Sequence, residues 1–518
     1  MAPATLGLHC TYPSPDGVAP EGAHEGETPE VLLEVAAILY TSAQGTVAEA
    51  FAVHKSPVIL VSETPVTESG PLAAIASTAG AYASGSIVLA QNPFPAQITP
   101  AVSPASIPNR FLSAAATTQV PLETLSSLTK GSLLRQLGLL PERTLSAYLA
   151  ANPSTVSNLL AAPPAALEVT TWWSGLSDSA RLTVNRAAPQ LVGNLDGIPT
   201  TVRNEANRVW LSQSIDGLKT TVASSPGRAV LTEATRQIHM LDEVSTALGS
   251  AQSVPQRSLL SLDVEGQGRA AVVLGDLATA DYVTYLIPGM FFTVEGQIND
   301  WTDDAARIYD EQVTWLNLIG ETDPSEAGKT VAVVSWMGYE TPNLTNIGSL
   351  DLAYLGRDAI ADVVRGLQSE RAGNEPYISI FAHSYGSTAA MMALSEYSFE
   401  IDALAVIGSP GSAVQSVDDL HVRDRNVFVG EAAWDPVPNS AFFGSDPGSR
   451  EFGAHHLGVG GGVDLITNEK LAASVGHNGY FGAGSESLRN LALIGIGKSQ
   501  LVTDGSADDN TKTLALLE

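Results

Sequence analysis

Cysteine is almost absent from this chain of 518 residues. Cys10 is the only one, so no disulfide can form within the chain, and a metal site built from cysteines is excluded. Long hydrophobic runs are missing as well. The longest apolar candidates, 34–40 and 491–496, fall far short of the roughly 18 residues that a membrane helix needs. The sequence therefore predicts no stable insertion into a membrane.

Basic residues are scarce: 26 Lys and Arg stand against 55 Asp and Glu, which gives a formal net charge of −29. Such a charge repels polyanions, so nucleic acids and anionic membrane surfaces are poor partners. The hydrophobic fraction of 44% is typical of a globular protein. Residues 1–30 lack a basic start and an apolar core, so no secretory signal is visible. We expect a cytoplasmic location, with non-classical secretion left open.

The chain is too long for one compact core, and its texture changes along its length. Residues 1–119 are rich in Pro, Gly, Ser, Thr and Ala and form a segment of uncertain structure. Leucines at helical spacing after Pro121 open a helical region over 120–257. From residue 258 to residue 518, strands and helices alternate, which sets this part apart from the helical region.

Continuous runs of Val, Ile and Leu define the predicted strands of this last part. The first two form a hairpin over 259–264 and 270–274, and the others cover 283–287, 331–336, 377–381, 403–407 and 426–430. Helices are predicted over 301–318, 352–367, 385–394 and 485–494. This alternation predicts a doubly wound, mostly parallel sheet.

One strand end carries a candidate nucleophile. The strand 377–381 is followed by Ala382-His383-Ser384-Tyr385-Gly386 and then by a helix-forming run. A serine between small residues at a sharp strand-to-helix turn is the nucleophile elbow of α/β-hydrolases, which exposes the hydroxyl. We therefore interpret Ser384 as the nucleophile and residues 258–518 as an α/β-hydrolase domain; the alternative is a serine in an ordinary loop.

The hydroxyl of such a serine needs an adjacent base, which this fold places last in the chain. His477 lies in a glycine-flanked loop before the final helix and is the predicted base. His455 and His456 are the alternatives, although their setting is more typical of strand residues on opposite faces.

A carboxylate should orient the base, and Asp435 follows the strand 426–430 at a suitable place. Asp446 is the second candidate for this role. Asp418 and Asp419 are expected on the protein surface.

Two backbone amides should form an oxyanion hole. We assign them to Tyr385, directly after the nucleophile, and to Met290, which follows Gly289 beyond the strand 283–287. Apolar side chains beyond two strand ends are candidates for substrate binding, with core packing as the equally weighted alternative; they are Phe291, Trp336, Met337 and Tyr339.

Several segments together resemble the actinobacterial α/β-hydrolases catalogued as a domain of unknown function. The matching stretches are Asn152-Pro153, Ala162-Pro163-Pro164, Trp172-Trp173, Gly193-Asn194-Leu195-Asp196-Gly197-Ile198-Pro199, Arg203, Ala206-Asn207-Arg208, Ile287-Pro288-Gly289-Met290, Ala382-His383-Ser384-Tyr385-Gly386, Gly408-Ser409-Pro410-Gly411, Asp435-Pro436 and His477-Asn478-Gly479-Tyr480. The resemblance implies a serine-hydrolase core behind a helical region, with Ser384, Asp435 and His477 as triad. Ala382 departs from the usual glycine.

These observations favour a serine hydrolase that cleaves carboxylic esters through an acyl-enzyme, as esterases and lipases do. Its expected substrate is a small-molecule or lipid-like ester, and no metal or organic cofactor is required. An amidase or peptidase would use the same residues. A further alternative is a catalytically inert hydrolase-like module with a binding or secretion-associated role. The sequence indicates neither the oligomeric state nor whether the helical region covers the site.

Overall fold

The computed structural model describes residues 119–438 and 440–505. The segment of uncertain structure that the sequence suggests for residues 1–119 lies outside the described residues, apart from its last position.

The described chain begins with the helical region. A 3₁₀ helix (Leu122–Ser127) is followed by α1 (Lys130–Gly138), α2 (Glu142–Ala151), α3 (Pro153–Ala161), α4 (Ala166–Gly175), α5 (Asp178–Ala187), α6 (Pro189–Asn194), α7 (Thr200–Ala223) and α8 (Arg228–Ala247). Pro153 and Pro189 each occupy the first turn of their helix, where the missing amide proton costs nothing. The spaced leucines of α1 pack with Trp172 and Trp173 of α4 in a core of their own.

The sheet follows from Arg257 onward. Its strands are β1 (Arg257–Asp263), β2 (Arg269–Gly275), β3 (Tyr282–Ile287), β4 (Val331–Met337), β5 (Tyr377–His383), β6 (Ala403–Ile407), β7 (Val427–Gly430) and β8 (His455–His456). They lie in the order β1-β2-β4-β3-β5-β6-β7-β8. Only the pairs β1–β2 and β2–β4 are antiparallel, and the remaining pairs of this sheet are parallel.

Four long helices accompany the sheet, and both of its faces are covered. These helices are α9 (Val294–Gly320), α10 (Asp351–Glu370), α11 (Tyr385–Glu396) and α12 (Glu486–Gly495). Buried residues of α10 and α11 pack on one face, whereas those of α8, α9 and α12 pack on the other. Strands buried on both sides explain the continuous apolar runs in the sequence. The predicted fold, a doubly wound and mostly parallel α/β-hydrolase sheet behind a helical region, is confirmed.

Shorter elements complete the described chain. They are 3₁₀ helices at Val417–Asp419, Arg423–Arg425, Gly479–Phe481 and Ser499–Leu501, and a small antiparallel pair of β9 (Gly462–Val463) and β10 (Lys470–Leu471). No helix among the described residues is long and apolar enough to cross a membrane.

Asparagine side chains join the helical region to the edge of the sheet. Asn194 accepts from the amide of Leu262 at 2.8 Å and donates to its carbonyl at 3.0 Å. Asn204 and Asn207 bond in the same way to the amide and the carbonyl of Leu259. These bonds occupy backbone groups of β1 that an edge strand would leave open. The strands β2, β4 and β3 separate this edge from β5, which carries the nucleophile turn.

A buried ion pair anchors the long loop that precedes α12. Nε of Arg489 lies 2.6 Å from Oδ2 of Asp464, and both side chains are almost fully buried. The other oxygen of Asp464 accepts from the amides of Ile466 and Thr467, which shapes the loop locally. Because His477 lies on the same loop, this ion pair helps to fix the position of the loop segment that carries the predicted base.

We expect Arg489→Met to lower the free energy of unfolding by about 3–5 kcal/mol, because it leaves the Asp464 carboxylate buried without a cation. The matched control is Arg135→Met. Its partner Glu168 is 3.5 Å away, and both side chains are about half exposed. This control should cost less than about 1 kcal/mol. Urea denaturation of both variants tests the expectation, and equal losses would contradict it.

Candidate active site

Ser384 occupies a strained turn between β5 and α11. Its backbone angles, φ 54° and ψ −132°, are costly for a residue other than glycine and are typical of a nucleophile elbow. Gly386 follows at a point of close approach, since a Cβ there would lie 2.4 Å from the carbonyl oxygen of Pro288. The small residue that the sequence pattern requires after the serine is therefore explained by contact with the end of β3.

A chain of hydroxyl groups holds the carbonyl of Ser384. The hydroxyl of Ser387 donates to this carbonyl at 2.6 Å and lies 2.7 Å from the hydroxyl of Ser409. Since Ser387 has one proton to give, it accepts from Ser409, which in turn accepts from the amide of Gly411 at 3.1 Å. Sequence alone assigns no role to these two serines, because the bond that joins them links residues 22 positions apart in the chain.

The structure brings Ser384, His477 and Asp435 together. Nε2 of His477 lies 2.8 Å from Oγ of Ser384, and Nδ1 lies 3.0 Å and 3.1 Å from the two carboxylate oxygens of Asp435. Tyr480 donates its hydroxyl proton to Oδ2 of Asp435 at 2.6 Å and accepts from the amide of Ala432 at 2.9 Å. The three side chains thus form a continuous line of hydrogen bonds across the carboxyl ends of β5, β6 and β7.

Asp435 is held in its charged form. Burial alone would raise its pKa, but hydrogen bonds from His477, from Tyr480 and from the amide of Val437 act against burial, and the pKa lies below the ordinary value. A carboxylate only accepts, so Nδ1 of His477 carries a proton toward it. The lone pair of Nε2 then faces the hydroxyl of Ser384.

Gly408 lies directly beneath the contact between His477 and Asp435. Its φ is +58°, and a Cβ there would lie 2.9 Å from Oδ2 of Asp435 and 3.1 Å from Nδ1 of His477. Only glycine provides both the backbone angle and the space. This gives a physical reason for the Gly408-Ser409-Pro410-Gly411 stretch, whose individual residues have no assigned role at the level of sequence.

The loop after β3 lies against the nucleophile. A Cβ on Gly289 would be 2.4 Å from Cβ of Ser384, so this backbone is in close contact with the turn. Met290 is the next residue, and Tyr385 is the first residue of α11, where amides have no partner within the helix. The structure thus places the residues of both predicted oxyanion donors beside Ser384.

The predicted substrate-binding residues divide into two groups. Phe291 packs at the edge of a small apolar cluster whose buried members are Met290 and Val437. The other three are only 2–3% exposed and lie in the core; they are Trp336, Met337 and Tyr339. Because β4 is covered on both faces, its last residues, Trp336 and Met337, lie in packed interior. Tyr339 is also buried, and its hydroxyl donates to the carbonyl of Pro288 at 2.7 Å, next to Gly289 in the loop that contacts Ser384.

The alternative residues lie elsewhere. His455 and His456 are both exposed on β8, and Asp446 accepts from the amide of Gly448 at 2.8 Å. Asp418 pairs with Arg425 at the surface. Within residues 119–438 and 440–505, no group of three or more His, Cys, Asp or Glu side chains could hold a metal ion.

His383, the residue before the nucleophile, is buried among aromatic rings. The centre of its ring lies 4.6 Å from that of His477 and about 6 Å from those of Tyr480 and Phe481. Burial, assisted by the neighbouring His477, lowers the pKa of His383 to about 3. Its ring is therefore neutral at ordinary pH.

Comparison with known proteins agrees with this geometry. Residues 263–445 match the model of a family described as "Alpha/beta hydrolase". Over these residues, the chain is similar to the alpha/beta hydrolases. An uncharacterized protein of Mycobacterium tuberculosis is 28% identical over 382 residues, which cover 65% of this chain and 57% of the relative. The chain thus spans little more than half the length of that relative. A second uncharacterized protein, from Mycobacterium bovis, is 27% identical over 211 residues, with 37% and 74% covered.

Solved structures of low similarity also match this chain. A hyperthermophilic esterase from the archaeon Pyrobaculum calidifontis is 13% identical, with a TM-score of 0.28, and covers 55% of this chain and 97% of its own. A carboxyl esterase 2 from the fungus Tuber melanosporum is 12% identical, with a TM-score of 0.29 and coverage of 49% and 90%.

The buried His383 predicts a specific pH dependence of the stability of this protein. An unfolded histidine has a pKa of about 6.5, so as the pH falls from there toward 3, the unfolded chain binds a proton that the folded protein does not. Stability is complete above this range and is lost within it, by up to about 1.4 kcal/mol per pH unit for this group. His383→Gln should show a shallower loss. Urea denaturation between pH 7 and pH 4 compares the two proteins, and parallel curves would speak against a neutral buried ring.

Proposed function

We propose that this protein hydrolyses carboxylic esters through an acyl-enzyme on Ser384. The observation that carries the proposal is the position of the His477 ring, which is hydrogen-bonded to Oγ of Ser384 at 2.8 Å and to the carboxylate of Asp435 at 3.0 Å. An unassisted serine hydroxyl is a poor nucleophile near neutral pH, and this arrangement supplies the base that it needs.

In the first half of the proposed reaction, Oγ of Ser384 attacks the ester carbonyl carbon, and its proton passes to Nε2 of His477. The negative Asp435 stabilises the imidazolium that forms. The amides of Met290 and Tyr385 donate to the oxygen that becomes negative. The tetrahedral intermediate then breaks its bond to the alcohol oxygen, which takes the proton from Nε2 and leaves.

In the second half, water replaces the alcohol. Nε2 of His477 takes one proton from the water as its oxygen attacks the acyl carbon of the Ser384 ester. The second tetrahedral intermediate breaks its bond to Oγ, and the proton returns to Ser384. The carboxylic acid is released, and every atom of the water is found in the products.

The apolar surroundings support an ester with an apolar part as substrate. Met290 belongs to the proposed oxyanion loop and Val437 to the loop of the proposed acid, and their side chains pack in one apolar cluster with Phe291 beside them. A small-molecule or lipid-like ester would place its hydrocarbon portion against such side chains.

Replacement of the nucleophile should abolish turnover. We expect Ser384→Ala to lower kcat/KM on p-nitrophenyl butyrate by roughly 10⁴-fold or more and to prevent labelling by a fluorophosphonate probe. Ser395→Ala is the matched control, because this serine lies on the same helix and, among the residues that the structure describes, its hydroxyl bonds only to the carbonyl of Met392. Absence of labelling in the well-folded natural protein, or labelling that persists in Ser384→Ala, would refute the proposal.

Replacement of the proposed acid should separate Asp435 from the other candidate, Asp446. Asp435→Asn removes the charge that stabilises the imidazolium, and we expect a loss in kcat of roughly 10³- to 10⁴-fold. Asp446→Asn keeps the hydrogen bond from Gly448 and should retain activity within about twofold. Steady-state kinetics on the same ester tests both variants. The reverse pattern would show that Asp446 is the acid.

A further inference from the structure

His383 links the nucleophile turn to the backbone of the predicted base. It is the last residue of β5 and is 3% exposed. Its Nε2 lies 2.7 Å from the carbonyl oxygen of His477. A carbonyl only accepts, so Nε2 of His383 carries the proton and donates it. The residue beside Ser384 in the chain is thus also the hydrogen-bond partner of the residue that bonds to its hydroxyl.

The loop that carries His477 needs such an external restraint. Gly476 precedes it at φ +70° and Gly479 follows two residues later, so the chain itself restricts the position of the imidazole weakly. One further backbone bond, from the amide of Gly476 to the carbonyl of Ala433 at 2.8 Å, fixes the loop on the side of Asp435. The bond from His383 fixes it on the side of Ser384.

The strand that supplies this bond is rigidly placed. His383 pairs with Ile407 in the parallel register of β5 and β6, and its ring is enclosed by Trp301, Tyr480 and Phe481. Any displacement of the end of β5 moves Ser384 and the donor to His477 together. The distance between the serine hydroxyl and the base is therefore less sensitive to motion of the strand than it would be with a donor on another element.

The second ring nitrogen explains why this residue is suited to the place. Nδ1 of His383 is buried and has no hydrogen-bond partner among the described residues. A second proton there would be buried without an acceptor, which is unfavourable. The ring therefore donates one proton and stays uncharged, so His477, 4.6 Å away, meets no second positive charge when it takes the proton of Ser384.

We propose that His383 is a positioning residue for the base: its Nε2–H holds the carbonyl of His477 and so sets where the imidazole meets Oγ of Ser384. This inference rests on the proposed function of Ser384 and His477. Nothing in the proposed reaction requires His383 to touch the substrate, and it is not itself a catalytic residue.

Two substitutions separate hydrogen bonding from packing. His383→Leu keeps an apolar side chain in the aromatic surroundings but removes the donor. His383→Gln is neutral and keeps an N–H of comparable reach. We expect His383→Leu to lower kcat on p-nitrophenyl butyrate by about 10- to 100-fold with KM nearly unchanged, because a displaced base is costly. His383→Gln should recover kcat to within about fivefold of the natural protein.

Thermal unfolding of each variant verifies that the fold is retained. Equal losses in both folded variants would show that the donor is not what matters, and unchanged kcat in His383→Leu would show that no positioning is needed. Either result overturns the proposal. A loss expressed in KM alone would overturn it as well, because positioning of the base acts on the chemical step.

A measurement on the natural protein is independent of activity. NMR of ¹⁵N-labelled histidine rings should show His383 as the neutral Nε2–H form from pH 5 to pH 9, with its signal identified by its loss in His383→Gln. Titration of this ring near pH 6, or an Nδ1–H form, overturns the proposal even if His383→Leu fails to fold. If the ring behaves as expected while the natural protein neither labels nor hydrolyses esters, the proposed function fails and the hydrogen bond of His383 stands.

Discussion

The hydrogen bond between Nε2 of His477 and Oγ of Ser384 is the interaction on which the organisation of this site depends. It joins two residues that are 93 positions apart, and each arrives on a different element. Ser384 is raised by a backbone conformation that β5 and α11 must stabilise, and its carbonyl is held by the Ser387–Ser409 chain. His477 lies on a loop that is held to α12 by the ion pair between Asp464 and Arg489. The contact exists because both supports are present.

The parallel order of β5, β6 and β7 explains why these residues can meet. The carboxyl ends of parallel strands lie at one edge of a sheet, so the turn after β5 and the loop after β7 stand on either side of the end of β6. The residue at the end of β6 can carry no side chain that projects above the sheet, because the side chains of Asp435 and His477 meet directly over it. Gly408 meets this requirement, with no Cβ and with a backbone angle of +58°. The order of the strands and the absence of a side chain at Gly408 together leave the space in which Ser384, His477 and Asp435 form their hydrogen bonds.

The parts of the fold and site that sequence predicts are those with local causes. Apolar strands between helices indicate the sheet, and the small-x-Ser-x-Gly pattern indicates the turn because steric limits act within five residues. Of the two roles that sequence leaves open for Trp336, Met337 and Tyr339, substrate binding or core packing, their burial favours core packing for a non-local reason: β4 lies inside the sheet, and residues at or just beyond its end are enclosed by helices from elsewhere in the chain. The hydrogen bond of His383 could not be predicted from sequence for the same reason, since its partner carbonyl is 94 residues away.

Two carboxyl groups after β7 show why position in a loop does not by itself identify an acid. Glu431 and Asp435 are four residues apart, and both are partly buried. Burial raises the pKa of Glu431, and Asp446 nearby adds to the rise. At Asp435, burial acts in the same direction, but donors from His477, Tyr480 and Val437 outweigh it, and the pKa falls. The surroundings lower the pKa of the second group only, and it is the one that faces the imidazole. At Asp435 these donors, together with the charge on the facing imidazole, thus outweigh burial, and this makes it the acidic residue suited to stabilise a positive charge on His477.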